Sequence, residues 1–227
     1  MSGRALIFGG GGQIGAASVA ALAAAGFDTV ATGRRADAAR GTTAYDPLVA
    51  ADALPDGSFD AVVWAQGDNL NDSVAEFDVD RHRALYDANT LYVAASLNAL
   101  LRHDRLVAGA RLCVISSVWQ RVARPRKLSY MMTKAALQGL VMSAAVDLAE
   151  RDILINAVLP GALDTAMTHR NLTPEQVAAL AAMTPFGRLA GIDDVAAMVA
   201  FLCSPANRSI TGQFVAVDLG FEHARLV

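Results

Sequence analysis

Apolar runs of strand length recur along this chain, and most are followed by a stretch long enough for a helix. The runs are 4–9 (RALIFG), 28–33 (DTVATG), 60–66 (DAVVWAQ), 110–117 (ARLCVISS), 153–159 (ILINAVL) and 213–217 (QFVAV), with a shorter candidate at 42–45. Helical patterns fill 13–25, 80–101, 130–151 and 193–203. The runs are continuously apolar and do not alternate, which suits strands buried on both faces. A helix between successive strands suits crossovers within a parallel sheet. The expected fold class is α/β: a doubly wound sheet of about seven parallel strands, helices on both faces, right-handed crossovers. With no internal repeat and no linker, residues 1–227 read as a single domain. The connections 34–45 and 46–60 are too short for full helices, so that end of the sheet should be thinly covered.

Composition narrows the function. A net charge of −3 argues against general affinity for nucleic acid or for an anionic membrane. No apolar run approaches the roughly 18 residues of a membrane span, and the N-terminus lacks a basic-then-apolar leader. The expected location is cytoplasmic. The two cysteines, Cys113 and Cys203, each sit in an apolar run and read as buried free thiols. The four histidines show no ligand spacing, so no metal site is expected.

The segment LIFGGGGQIGAA (6–17) lies between the first strand and the first helix. Gly10-x-Gly12-x-x-Gly15 has the dinucleotide spacing: a tight turn, close backbone approach to a pyrophosphate, and close helix–strand packing. Free N–H groups at the helix start would face the phosphates. The architecture is then Rossmann-type. After the second strand comes Gly33-Arg34-Arg35 where an acid would bind a free ribose. A guanidinium fork suits a 2′-phosphate, so NADP(H) is favoured over NAD(H). A pair of solvated surface arginines is the plain alternative.

SYMMTKAA (129–136) sets Tyr130 and Lys134 four apart on one helix face. The chain holds four tyrosines and only two lysines, Lys127 and Lys134. Chance gives such a pair about 0.04 times in a chain of this size. An ammonium beside a phenol should lower its pKa and make Tyr130 a general acid/base. Ser117 ends a predicted strand, at the carboxyl edge of the sheet where ligands bind.

These motifs together resemble the short-chain dehydrogenase/reductase family, in the single-domain branch similar to 3-oxoacyl-carrier-protein reductases. The likeness covers nearly the whole chain: FGGGGQIG, Ala65-Gln66-Gly67, Asn89, ISS ending at Ser117, Tyr130-x-x-x-Lys134, NAVLPGALDT (156–165), GRLAGIDDVAAMVAFLCS (187–204) and ITGQFVAVDLG (210–220). It implies a catalytic tetrad of Asn89, Ser117, Tyr130 and Lys134. Tyr130 would protonate the substrate oxygen as a 4-pro-S hydride arrives, and Ser117 would hold that oxygen. Lys134 would lower the Tyr130 pKa and bind the nicotinamide ribose. Asn89 would kink its helix and hold a water of a proton relay. The implied cofactor contacts are Gly9, Gly12, Gln13, Ile14 and Gly15 at the first turn, Arg34 and Arg35, Ala65, Gln66 and Gly67, with Asp46 near the adenine. Pro160, Gly161, Leu163 and Thr165 would flank the nicotinamide. The family forms homodimers or homotetramers through the helices at 80–101 and 130–151. The chain departs from the usual pattern at Gln13, a glycine elsewhere, at AQG in place of NAG, and at DLG in place of DGG. Its Gly9-x-x-Gly12-x-x-Gly15 spacing matches the longer sugar-nucleotide branch, whose C-terminal domain does not fit in this length.

The substrate side reads less sharply. VWQRVARPRKLS (118–129) carries Arg121, Arg124, Arg126 and Lys127. It is expected to meet an anionic handle, either a carboxylate, a phosphate or a carrier-linked phosphopantetheine, unless it is simply a solvated loop or a subunit contact. Trp119 and Gln120 should lie near the substrate. The stretch 166–183 should form a lid, with a capping signal at Thr173 and Gln176. The reading is an NADP(H)-dependent oxidoreductase interconverting a carbonyl and a secondary alcohol on a small-molecule substrate. The alternatives are modification of a sugar or sugar-nucleotide precursor of cell-surface glycan, and a non-catalytic dinucleotide-binding protein.

Overall fold

The computed structural model describes residues 3–224, without the side chains at 166, 167 and 171. Its centre is a seven-stranded parallel sheet in the order β3–β2–β1–β4–β5–β6–β9. The strands are β1 (Arg4–Phe8), β2 (Asp28–Gly33), β3 (Thr42–Ala44), β4 (Phe59–Trp64), β5 (Leu106–Ile115), β6 (Leu154–Pro160) and β9 (Phe214–Val217). A two-residue pair, β7 (Leu163–Asp164) with β8 (Ala190–Gly191), stands apart. The helices are α1 (Gln13–Ala24), α2 (Val79–Tyr86), α3 (Tyr92–Arg102), α4 (Leu128–Asp147), α5 (Ala166–Asn171), α6 (Pro174–Ala182) and α7 (Ile192–Cys203).

The strands are apolar throughout because both faces are covered. One face packs Leu6, Phe8, Val62, Trp64, Leu112 and Val114 against α3 and α4. The other packs Ala5, Ile7, Ala61, Val63, Cys113 and Ile115 against α1 and α7. Alternate residues of one strand thus serve opposite layers. Each large apolar side chain buried this way stabilises the fold by about 1.5–3 kcal/mol. Trp64 is fully buried, stacks on Phe8 at 5.7 Å, and donates its indole N–H to Ser96 Oγ at 2.7 Å. A tryptophan ahead of the AQG turn is therefore a core residue.

The thin end of the sheet is as the short connections predict. Only a 3₁₀ turn (Ala38–Arg40) links β2 to β3, and no helix lies between β3 and β4. Several boundaries differ from expectation: β4 ends at Trp64, α4 runs Leu128–Asp147, and those of β5 differ most. β5 starts at Leu106, four residues early, because Gly109 at φ +81° accommodates an irregularity opposite Phe59 and Ala61. The strand also stops at Ile115, so Ser117 opens the following turn. The helix expected over 80–101 is interrupted by a π turn at Asp87–Leu91, a widened turn with Asn89 at its middle. Sequence-distant Cys113 and Cys203 come together in the core as free thiols, and their contact, together with burial, pushes the Cys203 thiol up. Thr173 and Gln176 form a reciprocal capping box that starts α6. Among the described residues no helix is long and apolar enough to cross a membrane.

Candidate active site

The carboxyl ends of the strands open into a continuous groove made of three adjoining hollows of about 490, 200 and 650 Å³. A separate hollow of about 630 Å³, lined by Asp60, Arg111, Asp152 and Arg208, contains none of the predicted site residues.

The first turn forms the floor of the groove. Gly9 adopts φ +76°, and a Cβ there would lie 2.5 Å from the backbone nitrogen of Gln66. A Cβ on Gly15 would collide with the Gly9 carbonyl. Gly12 is the N-cap of α1, lines the groove, and has no side chain to satisfy the first N–H groups of the helix. Gln13 and Ile14 line the 490 Å³ hollow beside Gly12. Gly33 and Arg34 line the middle hollow with Ala65, Gln66 and Gly67, and Arg35 lines the outer one.

Sequence reasoning missed Arg40, which lines the outer hollow and donates to the Gly11 carbonyl at 2.8 Å. Nothing in its local sequence marks it, because only the sheet order brings the 3₁₀ turn beside the first loop. Asp46 lies just past β3, and its carboxylate accepts from Leu48 N at 3.0 Å, holding its own turn. Gln66 carries both amide atoms buried without a hydrogen-bond partner, in the wall of the groove. Buried amides are ordinarily paired, so this one fits a ligand that supplies the partner. A glycine cradle, free helix N–H groups, unpaired Gln66 and Arg34, Arg35 and Arg40 at one end all suit a phosphorylated dinucleotide.

The tetrad residues converge at the other end. Ser117, Tyr130 and Lys134 line the 490 Å³ hollow with Pro160, Gly161, Leu163 and Thr165. Lys134 is 4% exposed, lies 5.7 Å from the centre of the Tyr130 ring, and donates to the Ile115 carbonyl at 3.1 Å. Burial pulls its ammonium down to about 8. Burial also raises the Tyr130 phenol, and a hydrogen bond with Ser117 only partly offsets this. The expectation of a lowered Tyr130 pKa is thus reversed, because taking the phenol out of water raises it by more than the Ser117 hydrogen bond lowers it.

Asn89 lies beneath the site. Its Oδ1 accepts from Asp68 N at 2.7 Å, and its Nδ2 donates to Asp68 O at 3.1 Å and Thr133 Oγ1 at 3.0 Å. A Cβ on Gly67 would come within 3.0 Å of that Oδ1. The loop after β4 is tied to α4 a second time, without a sequence signal. Asp72 accepts from Ser129 N at 3.0 Å and Ser129 Oγ at 2.5 Å, at the start of α4, and His82 Nδ1 reaches the same hydroxyl at 3.0 Å.

The basic segment divides. Arg121 is turned away, onto Glu222 (2.8 Å) and the Phe214 carbonyl (2.9 Å), and Arg126 pairs with Glu76 (2.9 Å). Arg124 and Lys127 line the 490 Å³ hollow with Trp119. Gln120 is buried and accepts from Ser116 Oγ at 2.5 Å, so it supports the wall from behind.

Known proteins share both sequence and fold with this chain. A family model described as enoyl-(acyl carrier protein) reductase matches residues 12–222. An uncharacterized oxidoreductase of Methylorubrum extorquens is 34% identical over 88% of this chain and 79% of its own. A 3-oxoacyl-[acyl-carrier-protein] reductase of Salmonella typhimurium is 31% identical over 72% of this chain and 67% of its own. Among solved structures, a gluconate 5-dehydrogenase from Burkholderia cenocepacia in complex with NADP and tartrate superimposes with a TM-score of 0.89 at 26% identity, covering 99% of this chain and 97% of that one.

Proposed function

Because this chain belongs to the short-chain dehydrogenase/reductase family, we propose that it interconverts a small carbonyl compound and its secondary alcohol with NADP(H), using Tyr130 as general acid/base. The observation that carries the reading is the convergence of Ser117, Tyr130 and Lys134 in one hollow open to the glycine turn. In the reducing direction, carbonyl, NADPH and a proton give alcohol and NADP⁺. The bound dinucleotide supplies the hydride.

The protein's own groups do the rest. Tyr130 delivers its phenolic proton to the substrate oxygen, and Ser117 donates a hydrogen bond to that oxygen. Lys134 holds its ammonium beside the Tyr130 ring and favours the phenolate left behind. Asn89 holds the loop after β4 against α4. Arg34 and Arg35, with Arg40, support a 2′-phosphate subsite. The substrate is one with an anionic handle. The tartrate and NADP bound in the gluconate 5-dehydrogenase are in keeping with that choice.

Exposed Val79 and Leu91 on one helical segment, and Met132, Met142 and Val146 on α4, support self-association as a homodimer or homotetramer. The test is titration with NADPH and NADH, followed by nucleotide fluorescence. Tighter NADPH binding is expected, retained in Tyr130→Phe while turnover falls by roughly 10²–10⁴. Turnover undiminished in that variant would remove Tyr130 from the chemistry.

A further inference from the structure

Of the four cations between Ser117 and Tyr130, Arg121 and Arg126 are neutralised by carboxylates, and Arg124 and Lys127 are not. Lys127 is only 8% exposed, yet its ammonium donates to two neutral oxygens, Asn69 Oδ1 at 2.6 Å and Asn71 Oδ1 at 2.7 Å. An ammonium has three N–H donors. The third has no acceptor among the described residues. Arg124 stacks over the Trp119 ring at 5.4 Å and makes no ion pair among the described residues. Among the described residues Asp72 is the carboxylate whose charge reaches Lys127, and its oxygens accept from Ser129 and form no ion pair with the ammonium. Burial and the neighbouring Arg124 pull the Lys127 pKa down, and Asp72 opposes them. Two cations held together in a partly desolvated wall are unfavourable unless an anion sits with them.

Both groups face the same hollow as the tetrad, and Lys127 Nζ lies 5.5 Å from the centre of the Tyr130 ring. We propose that Lys127 and Arg124 form a carboxylate subsite, so that the substrate is a small hydroxy or oxo acid whose carboxylate is a few bonds from the reacting carbon. The proposal rests on the oxidoreductase reading above. The depth of Lys127 selects a free carboxylate over a carrier arm, whose phosphate is separated from its thioester by a long run of single bonds. A charge-assisted contact of this kind favours the acid over an uncharged analogue by roughly ten- to a hundredfold.

The experiment compares pyruvate, acetoacetate and levulinate with their methyl esters, using NADPH, in the wild type and in Lys127→Met, Arg124→Ser and Arg126→Gln. The acids should be preferred by that factor in kcat/KM. Lys127→Met should erase the preference through KM, Arg124→Ser should weaken it, and Arg126→Gln should leave it intact. Arg124→Ser, at a partly exposed position, keeps the test valid if Lys127→Met fails to fold. If no acid is turned over, quenching of tryptophan fluorescence by malonate in the NADP-loaded protein decides. Saturation that is lost in both subsite variants supports the proposal, and absence of binding overturns it. Esters reduced as fast as acids, or turnover confined to carrier-linked thioesters, also overturn it. Failure to bind NADPH at all would instead sink the oxidoreductase reading on which it stands.

Discussion

Replacing Lys134 by methionine should stabilise the fold at neutral pH while removing turnover. Lys134 is 4% exposed, and burial brings its ammonium from the ordinary 10.5 down to about 8. Below pH 8 the folded and unfolded states are both protonated, so the folded state carries the full cost of a buried charge. Between pH 8 and 10.5 the unfolded chain binds the proton and the folded chain does not. Stability therefore rises with pH across that window. The displacement amounts to about 3 kcal/mol at pH 7. Losing the bond to the Ile115 carbonyl returns about 1 kcal/mol. The variant should thus be more stable by about 2 kcal/mol at pH 7, or roughly 4–8 °C in Tm for a chain of this size. Its advantage should shrink to nothing, or reverse, by pH 10.5. Subtracting the two stability–pH curves removes the contributions of Cys203, Tyr45 and Tyr92, which are the same in both proteins. Denaturant unfolding at several pH values between 7 and 10.5 measures the difference. A variant no more stable than wild type at pH 7, or a gap that stays constant with pH, would refute the reasoning.

Three other outcomes test separate parts of the structure. Arg34→Ala combined with Arg40→Ala should weaken NADPH binding about tenfold or more and leave NADH binding nearly unchanged, since a 2′-phosphate loses its charge-assisted donors; fluorescence titration reads both affinities. Gly15→Ala forces a methyl group onto the Gly9 carbonyl, so Tm should fall by an amount matching about 1–3 kcal/mol of overpacking and dinucleotide affinity should drop with it. Ser129→Ala leaves a buried Asp72 oxygen without its donor, which should cost about 1.5–3 kcal/mol in urea unfolding.

The alternation of strands and helices, the sheet's thin end and most element boundaries were legible because burial on both faces leaves a period in the sequence itself. β2 was predicted at its observed limits, and the capping box of α6 was readable from Thr173 and Gln176. The start of β5 was not, because a bulge at Gly109 depends on which strand pairs with it. The π turn around Asn89 has no local signature either, and a kink there was implied only by the family resemblance.

By itself, the sequence determined which groups could do chemistry: a glycine turn after the first strand, and a tyrosine and lysine on one helix face. Tertiary structure decided which of them share a groove and in what state. It sent Arg121 to Glu222 and Arg126 to Glu76, left Lys127 on neutral Asn69 and Asn71, 58 and 56 residues away, brought Arg40 to the glycine turn, and raised the Tyr130 pKa that its neighbour was expected to lower. Hydrogen-bond partners and desolvation are set by residues distant in the chain, so they become definite only when the sheet is assembled.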